Sequence, residues 1–385
     1  TYDDLSLEEL EQRQLELMLE EARDAARESL RGWVRWRHPE WKAIPWFHDE
    51  LADEFDAVCE STKNEVLAVT LPPGHSKSTY VEEMAARALG LDPTLRICVV
   101  SYNQVRAEER LSNIIDAFKS RAFRSVFPGV LPPGDAPRRK DQANPKDRAV
   151  LLELVDVHGQ KTGGILAAAG MEGGITSGRY DIIIIDDPIK NHKDVRSATF
   201  REDQWQIFTR AIKTRKRPGR PLKVIIIQTR WHLDDLTGRV LERLGGHVRH
   251  IHFEGVRELV DHPADPREIG EALWPYVVDI EEFEKRKLND PDGFYALEQG
   301  NPAPDTGKIV NSDWVHRYTT LPDGPGTYYQ SWDPKHGSTA SSSSELVGLL
   351  AFVPDAYPER VYLIDARWGR LNTPDSLALF DSIQS

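Results

Sequence analysis

Between residues 65 and 253, the apolar residues of this chain cluster in short runs that mostly do not alternate in polarity. Strands buried on both faces of a parallel sheet show this pattern, whereas strands with one solvated face alternate. Helical stretches separate the runs, so this region is predicted to form an α/β core with a mostly parallel sheet. Five runs are predicted as strands: EVLAVTL (65–71), RICVVSY (96–102), DIIIIDD (181–187), KVIIIQT (223–229) and HVRHIHF (247–253).

The two ends of the chain follow other patterns. Ser6 and Glu9 form the sequence of a helix-starting capping box, and apolar residues at helical spacing follow, so residues 1–40 are predicted as a helical arm. A stretch rich in Pro, Gly and Asp at 301–326 is predicted as a linker. Strand-like runs after it, including TYYQSWD and ELVGLLAFV, predict a second domain over 327–385.

Composition narrows the class of protein. The 385 residues suffice for two or three domains, and the formal net charge is −13. Residues 1–30 hold ten acids and three arginines, so more than half of the excess lies in the arm. The sequence shows neither a long apolar run nor a signal peptide, so we expect a soluble intracellular protein. Only Cys59 and Cys98 are present, which excludes a disulfide framework and a cysteine-based zinc site.

The segment LAVTLPPGHSKST (67–79) is predicted as a strand, a turn and the start of a helix. Nucleotide phosphates bind at such a junction, because the helix N-terminus offers free N–H groups and a positive dipole end. Lys77 would reach the phosphates and the Ser78 hydroxyl would bind Mg²⁺. An ordinary helix start explains a lone Lys-Ser pair equally well, so the segment needs a partner.

The partner is YDIIIIDD (180–187), in which four isoleucines lead to two carboxylates. A buried strand that ends in two acids can present one to Mg²⁺ and the next to the attacking water. We assign Asp186 to the metal and Asp187 to the water. A turn-forming Asp-Asp-Pro at a strand end is the alternative.

A third run, KVIIIQT (223–229), ends in Gln228 and Thr229. In a parallel sheet these side chains would lie in the same crevice as the phosphate loop. Either one could sense the γ-phosphate and pass its loss to the rest of the domain. A plain strand end before a helix capped near Asp234 is the other interpretation.

These segments, taken together, resemble the large terminase subunits of tailed double-stranded DNA bacteriophages, the ATPase-nucleases that cut and package viral DNA. The resemblance covers roughly residues 40–340. Two positions depart from the family pattern: Ser76 stands where glycine is usual, and Asp187 where glutamate is usual. The segments that carry the resemblance are PPGHSKST (72–79), AAGMEGGITSGRYDIIIIDDPIKN (168–191), IIIQTRWHLDDLTGRV (225–240), ALWPYVV (272–278), FYALEQGNPAPDTG (294–307) and YYQSWD (328–333).

The resemblance implies an ASCE-type P-loop ATPase domain over residues 41–300, with ATP and Mg²⁺ as cofactors. It makes Gly74, His75, Ser76, Lys77, Ser78 and Thr79 the nucleotide-binding loop. Asp186 and Asp187 become the metal-binding and water-activating pair, and Gln228 and Thr229 take the coupling position. Trp46 and His48 are similar to the stretch that borders the adenine, although Trp46 is equally expected in the core.

The resemblance also implies an arginine that acts on the neighbouring subunit. Its candidates are Arg106, Arg110, Arg121 and Arg124, and the sequence does not choose among them.

The second domain is similar, by the same resemblance, to the start of a ribonuclease H-like nuclease. Asp333 occupies the position of the first-strand ligand of two divalent metals, Mg²⁺ or Mn²⁺. Asp365 also ends a strand-like run, but we favour a structural role for it. The sequence ends at Ser385, and we expect the remaining acidic ligands to lie beyond it.

Double-stranded DNA is the implied substrate, with the procapsid portal protein, the small terminase subunit and other copies of the chain in a pentameric ring as partners. No membrane partner is expected, and the host cytoplasm is the implied location. A basic run at 210–223, which holds seven cations and no acid, is a candidate DNA contact, while a solvated helix end is the alternative.

Two other functions remain open on the sequence. One is a P-loop helicase or other DNA-dependent ATPase. The other is a non-enzymatic capsid or scaffold protein with a decayed nucleotide fold, for which the glycine-poor loop is the only support.

Overall fold

A computed structural model of the chain describes residues 7–131, 150–156, 158–171, 178–258, 264–303, 318, 320–333 and 346–369. The chain divides into two compact units, Thr1–Asp305 and Thr306–Ser385, and the boundary falls within the predicted linker at 301–326. Ser6, half of the predicted capping box, lies outside the described residues.

The first unit is built on an eight-stranded sheet in the described part of the chain. All the predicted strands are present within one or two residues of their expected ends. The strands are β1 (Glu65–Thr70), β2 (Arg96–Ser101), β3 (Val130–Leu131), β4 (Val150–Asp156), β5 (Lys161–Gly170), β6 (Ile182–Asp186), β7 (Lys223–Gln228) and β8 (Arg249–His252).

The strand order is β3-β4-β5-β2-β6-β7-β1-β8, and the six strands from β5 to β8 pair in parallel. The α/β fold with a mostly parallel sheet is therefore confirmed. Strand β7 lies between β1, which leads into the predicted phosphate loop, and β6, which ends in the two acids. Because the three strands are parallel, their carboxyl ends meet at one edge of the sheet.

Helices cover both faces of this sheet. They are α1 (Leu7–Glu28), α2 (Leu30–Arg37), α3 (Trp46–Glu60), α4 (Lys77–Leu91), α5 (Gln104–Lys119), α6 (Arg121–Val126), α7 (His192–Arg196), α8 (Ala198–Gln206), α9 (Leu236–Leu244), α10 (Ile280–Asn289) and α11 (Pro291–Gly293). A π-helical turn at Ile207–Ile212 continues α8, another at Phe294–Glu298 follows α11, and a short 3-10 helix at Gly245–His247 follows α9. None of the described helices is long and apolar enough to cross a bilayer.

The isoleucines of β6 show why the strand sequences do not alternate. Ile182 and Ile184 belong to the core on one face of the sheet, and Ile183 and Ile185 to the core on the other. Successive strand side chains point to opposite faces. A sheet covered on both faces therefore requires an apolar residue at every position.

Strands β3, β4 and β5 are absent from the predicted set. β5 has the sequence KTGGILAAAG, and glycine and alanine are poor strand formers. Packing requires the small residues here: a Cβ atom added at Gly170 would lie 2.7 Å from the Gln104 nitrogen at the start of α5. Close approach of helix and strand, which a single sequence does not display, overrides propensity at this strand.

The second unit contains a three-stranded antiparallel sheet in its described part, in the order β11-β10-β9. Its strands are β9 (Gly326–Asp333), β10 (Leu346–Pro354) and β11 (Tyr362–Gly369). Each of them overlaps one of the strand-like runs of the predicted second domain. A ribonuclease H-like domain is not established by these three strands.

Candidate functional site

The predicted phosphate loop joins β1 to α4, and two of its residues have the left-handed backbone conformation. Gly74 has a φ of 80°, and Ser76, directly before the helix, has φ 60° and ψ 16°. The left-handed region favours glycine, and another residue costs about 1–2 kcal/mol there. Ser76 therefore adopts a backbone conformation that a glycine would adopt without strain.

Two buried histidines, His48 on α3 and His75 in the loop itself, form hydrogen bonds with the backbone of the loop. His75 Nδ1 donates to the Pro73 carbonyl at 2.9 Å, and His48 Nε2 donates to the His75 carbonyl at 3.1 Å. Burial lowers the pKa of each ring to about 4, so both are neutral near pH 7. His48 thus fixes the loop from α3, and His75 fixes it from within.

Trp46, the other predicted adenine neighbour, begins α3 and is half-buried. Its ring lies edge-on to Phe253, with the centroids 5.4 Å apart. The structure therefore places Trp46 against the core. Its predicted adenine contact stays a prediction.

Lys77 and Ser78 connect the loop to the two other predicted segments. Lys77 Nζ donates to Thr229 Oγ1 at 2.8 Å and lies 3.9 Å from Asp187 Oδ2. Ser78 Oγ donates to Asp186 Oδ1 at 2.8 Å. Thr79 lies beside them in the first turn of α4. Residues more than 100 positions apart in the chain thus meet at the carboxyl edge of the sheet.

Asp186 is the most buried acid of this group, with 1% of its surface exposed. Burial, and then the charge of Asp187, raise the pKa of its carboxyl, while Arg110, Ser78 and Lys77 oppose the rise. An ionised carboxylate in such a place requires hydrogen bonds and a nearby cation.

Asp187 stands in a different environment. Its side chain is 34% exposed, and Oδ1 accepts a hydrogen bond from the Thr229 nitrogen at 3.3 Å. Its φ is 44°, again in the left-handed region, while its own N–H donates to the Ile227 carbonyl at 2.8 Å. The backbone turns out of the sheet at this residue and leaves the carboxylate accessible to solvent.

Gln228, the last residue of β7, is 1% exposed. Among the described residues, neither its amide nitrogen nor its amide oxygen has a hydrogen-bond partner. Buried amides without partners are rare, because leaving one unpaired costs about 1–3 kcal/mol. Gln228 therefore has free hydrogen-bonding capacity beside Thr229.

Several contacts at this edge were not predicted from the sequence, which offered Arg110 only as a candidate to act on a neighbouring subunit. Arg110 Nε lies 2.6 Å from Asp186 Oδ2, and Arg110 Nη1 lies 2.9 Å from Glu82 Oε1. Asn113 Nδ2 also donates to Glu82 Oε1, at 3.0 Å. Glu82 and Asn113 carry no recognisable motif, although the sequence does place Arg110 and Asn113 on one helical face by their spacing.

The four arginine candidates occupy two kinds of position. Arg106, Arg121 and Arg124 are exposed, while the Arg110 side chain is only 15% exposed and faces its own site.

A second buried ion pair, between Arg230 and Asp235, holds the segment after β7 and was not predicted from the sequence. Arg230 Nε donates to both carboxylate oxygens of Asp235, at 3.0 and 2.9 Å, and the Trp231 nitrogen donates to Asp235 at 3.1 Å. Asp235 also caps α9 through the Gly238 nitrogen. This turn fixes the backbone that follows Thr229.

Two further segments of the resemblance have structural contacts. Trp274, in ALWPYVV, packs edge-on against His48 with the ring centroids 4.9 Å apart. Gln299, in FYALEQGN, pairs with the backbone of Val256, donating to its carbonyl at 2.8 Å and accepting from its nitrogen at 2.9 Å. Trp274 thus lies behind the phosphate loop and Gln299 joins two loops.

The basic run at 210–223 precedes β7 and so leads into the opposite, amino edge of the sheet. Three of its seven cations contact distant segments of the chain: Arg217 Nη1 lies 3.2 Å from Asp181 Oδ2, Arg220 Nη1 lies 2.7 Å from Asp92 Oδ2, and Lys223 Nζ donates to the Cys59 carbonyl. Arg210, Lys213 and Lys216 are exposed. The run adjoins β7 in sequence but lies at the edge of the sheet opposite the predicted phosphate loop.

In the second unit, Asp333 is the last residue of β9, and its backbone pairs with Val347. Its side chain lies outside the described part of the structure. Asp365 pairs with Leu350, three positions along β10 from Val347. An offset of three residues places the two backbone positions on opposite faces of the sheet. The register therefore does not bring Asp365 to the face of Asp333.

No protein-family model matches the chain, and no curated protein is similar to it in sequence. The chain is similar in structure to the large terminase of bacteriophage HK97, with 13% identity and a TM-score of 0.43, over 85% of this chain and 63% of that one.

Two other phage proteins are similar at the same level. The ATPase domain of the Thermus phage P74-26 large terminase is 17% identical with a TM-score of 0.39, over 64% of this chain and 91% of that one. The large terminase of a thermophilic bacteriophage, solved in complex with ATP-γ-S, is 12% identical with a TM-score of 0.34, over 81% of this chain and 67% of that one. These solved structures, to which the chain is similar, are thus large terminases of several bacteriophages.

Proposed function

We propose that the first unit is a Mg²⁺-dependent ATPase. The observation that carries the proposal is the convergence of Lys77, Ser78, Asp186, Asp187 and Thr229 at one sheet edge, with Lys77 bonded to Thr229 and Ser78 to Asp186. A helix N-terminus preceded by a left-handed loop offers N–H groups to phosphates, and a lysine beside it neutralises them.

Ser78 and Asp186 fit a magnesium ion by their chemistry. A hydroxyl and a carboxylate oxygen 2.8 Å apart are hard donors, and Mg²⁺ usually takes one or two protein oxygens and completes its shell with phosphates and waters. In the described part of the chain, no group of three or more His, Cys, Asp or Glu residues could form a closed metal site. The ion would neutralise charge on the β- and γ-phosphates.

The remaining residues divide the work of hydrolysis. Asp187 is the accessible carboxylate and orients the attacking water, held by the Thr229 N–H and its own turn. Lys77 exchanges the Thr229 hydroxyl for a phosphate oxygen when ATP binds. Gln228 and Thr229 then sense whether the γ-phosphate is present and pass the change through the locked turn at Arg230.

Mutation of the loop and of the acid tests this assignment. We expect Mg²⁺-dependent ATP hydrolysis that is lost in Lys77→Ala and in Asp186→Ala. Lys285→Ala, an exposed lysine of α10, serves as the control and keeps the wild-type rate. Retained hydrolysis in both loop and acid variants would exclude the proposal.

We further propose that the ATPase drives double-stranded DNA into a procapsid, as the resemblance in sequence implies. In this proposal residues 41–300 form the motor, 1–40 an arm, and 301–326 the linker to the second domain. The portal protein, the small terminase subunit and a pentameric ring of this chain are the proposed partners, in the host cytoplasm.

The exposed half of the basic run is the proposed DNA contact. Arg210, Lys213 and Lys216 have no carboxylate partner among the described residues, so they are available to phosphates. Neutralising all three should lower the slope of log affinity against log salt by about three, since each phosphate contact contributes about one. An unchanged slope would exclude this surface.

For the second domain, we propose a metal-dependent nuclease in which Asp333 binds Mg²⁺ or Mn²⁺. Plasmid cleavage should be lost in Asp333→Ala while ATP hydrolysis is kept, and the reverse should hold for Lys77→Ala. Loss of both activities in either variant would contradict two separate sites.

The alternatives are distinguished by simple assays. A helicase or other DNA-dependent ATPase would separate strands of a forked duplex, and a scaffold with a decayed nucleotide fold would not bind ATP with or without Mg²⁺. The paired contacts of Lys77 and Ser78 favour a working nucleotide site over a decayed one.

A further inference from the structure

Arg110 lies between two buried carboxylates that belong to different elements. Its Nε is 2.6 Å from Asp186 Oδ2 at the end of β6, and its Nη1 is 2.9 Å from Glu82 Oε1 on α4. A planar guanidinium has donors in a fixed fork, so it can hold two acids in one geometry. Lysine carries the same charge but lacks this fork.

The second acid is itself fixed. Glu82 is buried on α4, five residues after Lys77, and its Oε1 accepts from Asn113 Nδ2 at 3.0 Å as well as from Arg110. Asn113 lies one turn after Arg110 on α5. Glu82 of α4, which Asn113 fixes, thus contacts one side of the guanidinium. The other side of the guanidinium lies against one oxygen of Asp186.

The other oxygen of Asp186 is oriented in a different direction. Oδ1 accepts from Ser78 Oγ at 2.8 Å, beside the start of α4. The Arg110 Nε–H is not aligned for a hydrogen bond with Oδ2, but the two atoms lie 2.6 Å apart, so the carboxylate cannot rotate without separating an ion pair whose side chains are 15% and 1% exposed. Removing one member of a buried ion pair costs free energy, because the other charge is left buried without a partner.

We propose that Arg110 is a positioning residue of the ATPase: held by Glu82, which Asn113 fixes in turn, it orients the Asp186 carboxylate so that Oδ1 stays beside Ser78 for Mg²⁺. The inference rests on the proposed ATPase function. It also assigns Arg110 to its own subunit, since a guanidinium engaged by two buried acids is not available to a neighbour's nucleotide. Groups that orient metal ligands typically change metal affinity 10–100-fold when they are mutated.

The experiment measures nucleotide binding by the isolated subunit, without turnover. Affinity for fluorescent ATP-γ-S is determined in EDTA and in excess Mg²⁺, and the ratio of the two dissociation constants gives the metal dependence. In Arg110→Gln we expect this ratio to fall at least about tenfold, with binding in EDTA little changed. Arg110→Lys should recover part of the ratio.

Two arginines serve as matched controls. Arg87 forms an equally buried ion pair with Asp56, at 2.6 Å, so Arg87→Gln should lower the melting temperature and keep the metal ratio. Arg13 lies on α1, is exposed, and pairs with Glu16, so Arg13→Gln should change neither quantity.

Each outcome decides the proposal. A wild-type ratio in Arg110→Gln, with a lowered melting temperature, would reduce Arg110 to a structural ion pair and overturn the inference. Wild-type binding with hydrolysis lost only in the assembled ring would assign Arg110 to the neighbouring subunit and also overturn it. If Arg110→Gln does not fold, Glu82→Gln loosens the hold on Arg110 and should lower the ratio in the same direction; an unchanged ratio there counts against the inference.

Failure of the proposed function gives a different result. In that case the wild-type chain would not bind the nucleotide, or Lys77→Ala would bind it as tightly as wild type. Metal-dependent binding by wild type, lost in Lys77→Ala but retained in Arg110→Gln, would overturn only the role of Arg110.

Discussion

Asp181 and Asp186 are buried carboxylates at the two ends of the same isoleucine strand, with 2% and 1% of their surfaces exposed. Asp181, at the amino edge, accepts from the Arg96 backbone nitrogen at 3.0 Å and from Arg217 Nη1 at 3.2 Å. Asp186, at the carboxyl edge, has the side chains of Ser78 and Arg110 as partners. The Asp181 carboxylate is held in part by the backbone, whereas the partners of the Asp186 carboxylate are side chains, and one of them, the Ser78 hydroxyl, can turn to a ligand.

Backbone strain separates the two edges in the same way. Ser76 and Asp187 are the non-glycine residues with positive φ in the described part of the chain, and both lie at the carboxyl edge. Strained residues persist where the surrounding structure over-determines them, and they cluster at functional sites. Burial of charge therefore does not by itself mark a site, but burial combined with strain and exchangeable partners does.

The largest expected effect comes from substituting the two acids of this comparison, Asp186 and Asp181. Asp186→Asn should lower kcat for ATP hydrolysis at least about 100-fold, because a group that places charge at the reacting phosphates is lost. Asp181→Asn should keep kcat and lower the free energy of unfolding by about 1–3 kcal/mol, because a buried hydrogen bond is weakened. Steady-state kinetics and urea denaturation measure the two. A large kcat loss in Asp181→Asn would remove the distinction between the edges.

The second prediction concerns the pH dependence of folding stability and His48, which donates a hydrogen bond to the loop. Burial lowers the pKa of His48 from its ordinary 6.5 to about 4, so the unfolded chain takes up the proton first as pH falls. The resulting stability is complete above pH 6.5 and is lost between 6.5 and 4, by about 1.4 kcal/mol per pH unit.

The matching measurement is urea unfolding between pH 7 and 5. His48→Gln, whose amide can still donate to the His75 carbonyl, should show a shallower loss than wild type. His247→Gln, an exposed histidine after α9, should follow the wild-type curve. Parallel curves for all three proteins would show that His48 does not titrate with unfolding.

Thr229 provides a test of the exchangeable partner. Thr229→Val removes the hydroxyl that accepts from Lys77 and keeps the backbone N–H that Asp187 uses. Because Lys77 no longer has to leave this partner, ATP should bind several-fold more tightly, while hydrolysis should fall about tenfold as the sensor is lost, a difference of about 1.4 kcal/mol. Titration calorimetry and kcat separate the two effects. Weaker binding would mean that Thr229 contacts the nucleotide directly.

The sequence predicted one edge of the sheet better than the other parts of the site. Parallel strands bring their carboxyl ends together whatever the loops do, so Lys77, Asp186 and Thr229 could be grouped from the predicted parallel direction of the strands alone. The positions of Glu82 and Asn113 depend on how α4 and α5 pack on each other. That packing is set by tertiary contacts, which leave no periodic signal in a single sequence.

The same reasoning explains the errors in the fold. β6 was predictable because burial on both faces requires isoleucine at each position, whereas β5 is rich in glycine and alanine to admit a helix. The basic run at 210–223 looked uniform in sequence, yet Arg217, Arg220 and Lys223 have partners in distant segments. A sequence gives the sign of each charge, but it does not show whether the charged side chain is already paired within the fold.

The smallest expected effect sharpens the link between strain and site. Ser76 makes no side-chain cap to α4, so Ser76→Ala should change the free energy of unfolding by less than about 0.5 kcal/mol. Ser76→Gly removes the left-handed strain and should raise it by up to about 1 kcal/mol, whereas branched Ser76→Val should lower it by about 1–2 kcal/mol. Urea denaturation orders the three variants. Equal stability of the glycine and valine variants would show that the loop relaxes out of the left-handed conformation, and the strain would then not belong to the folded site.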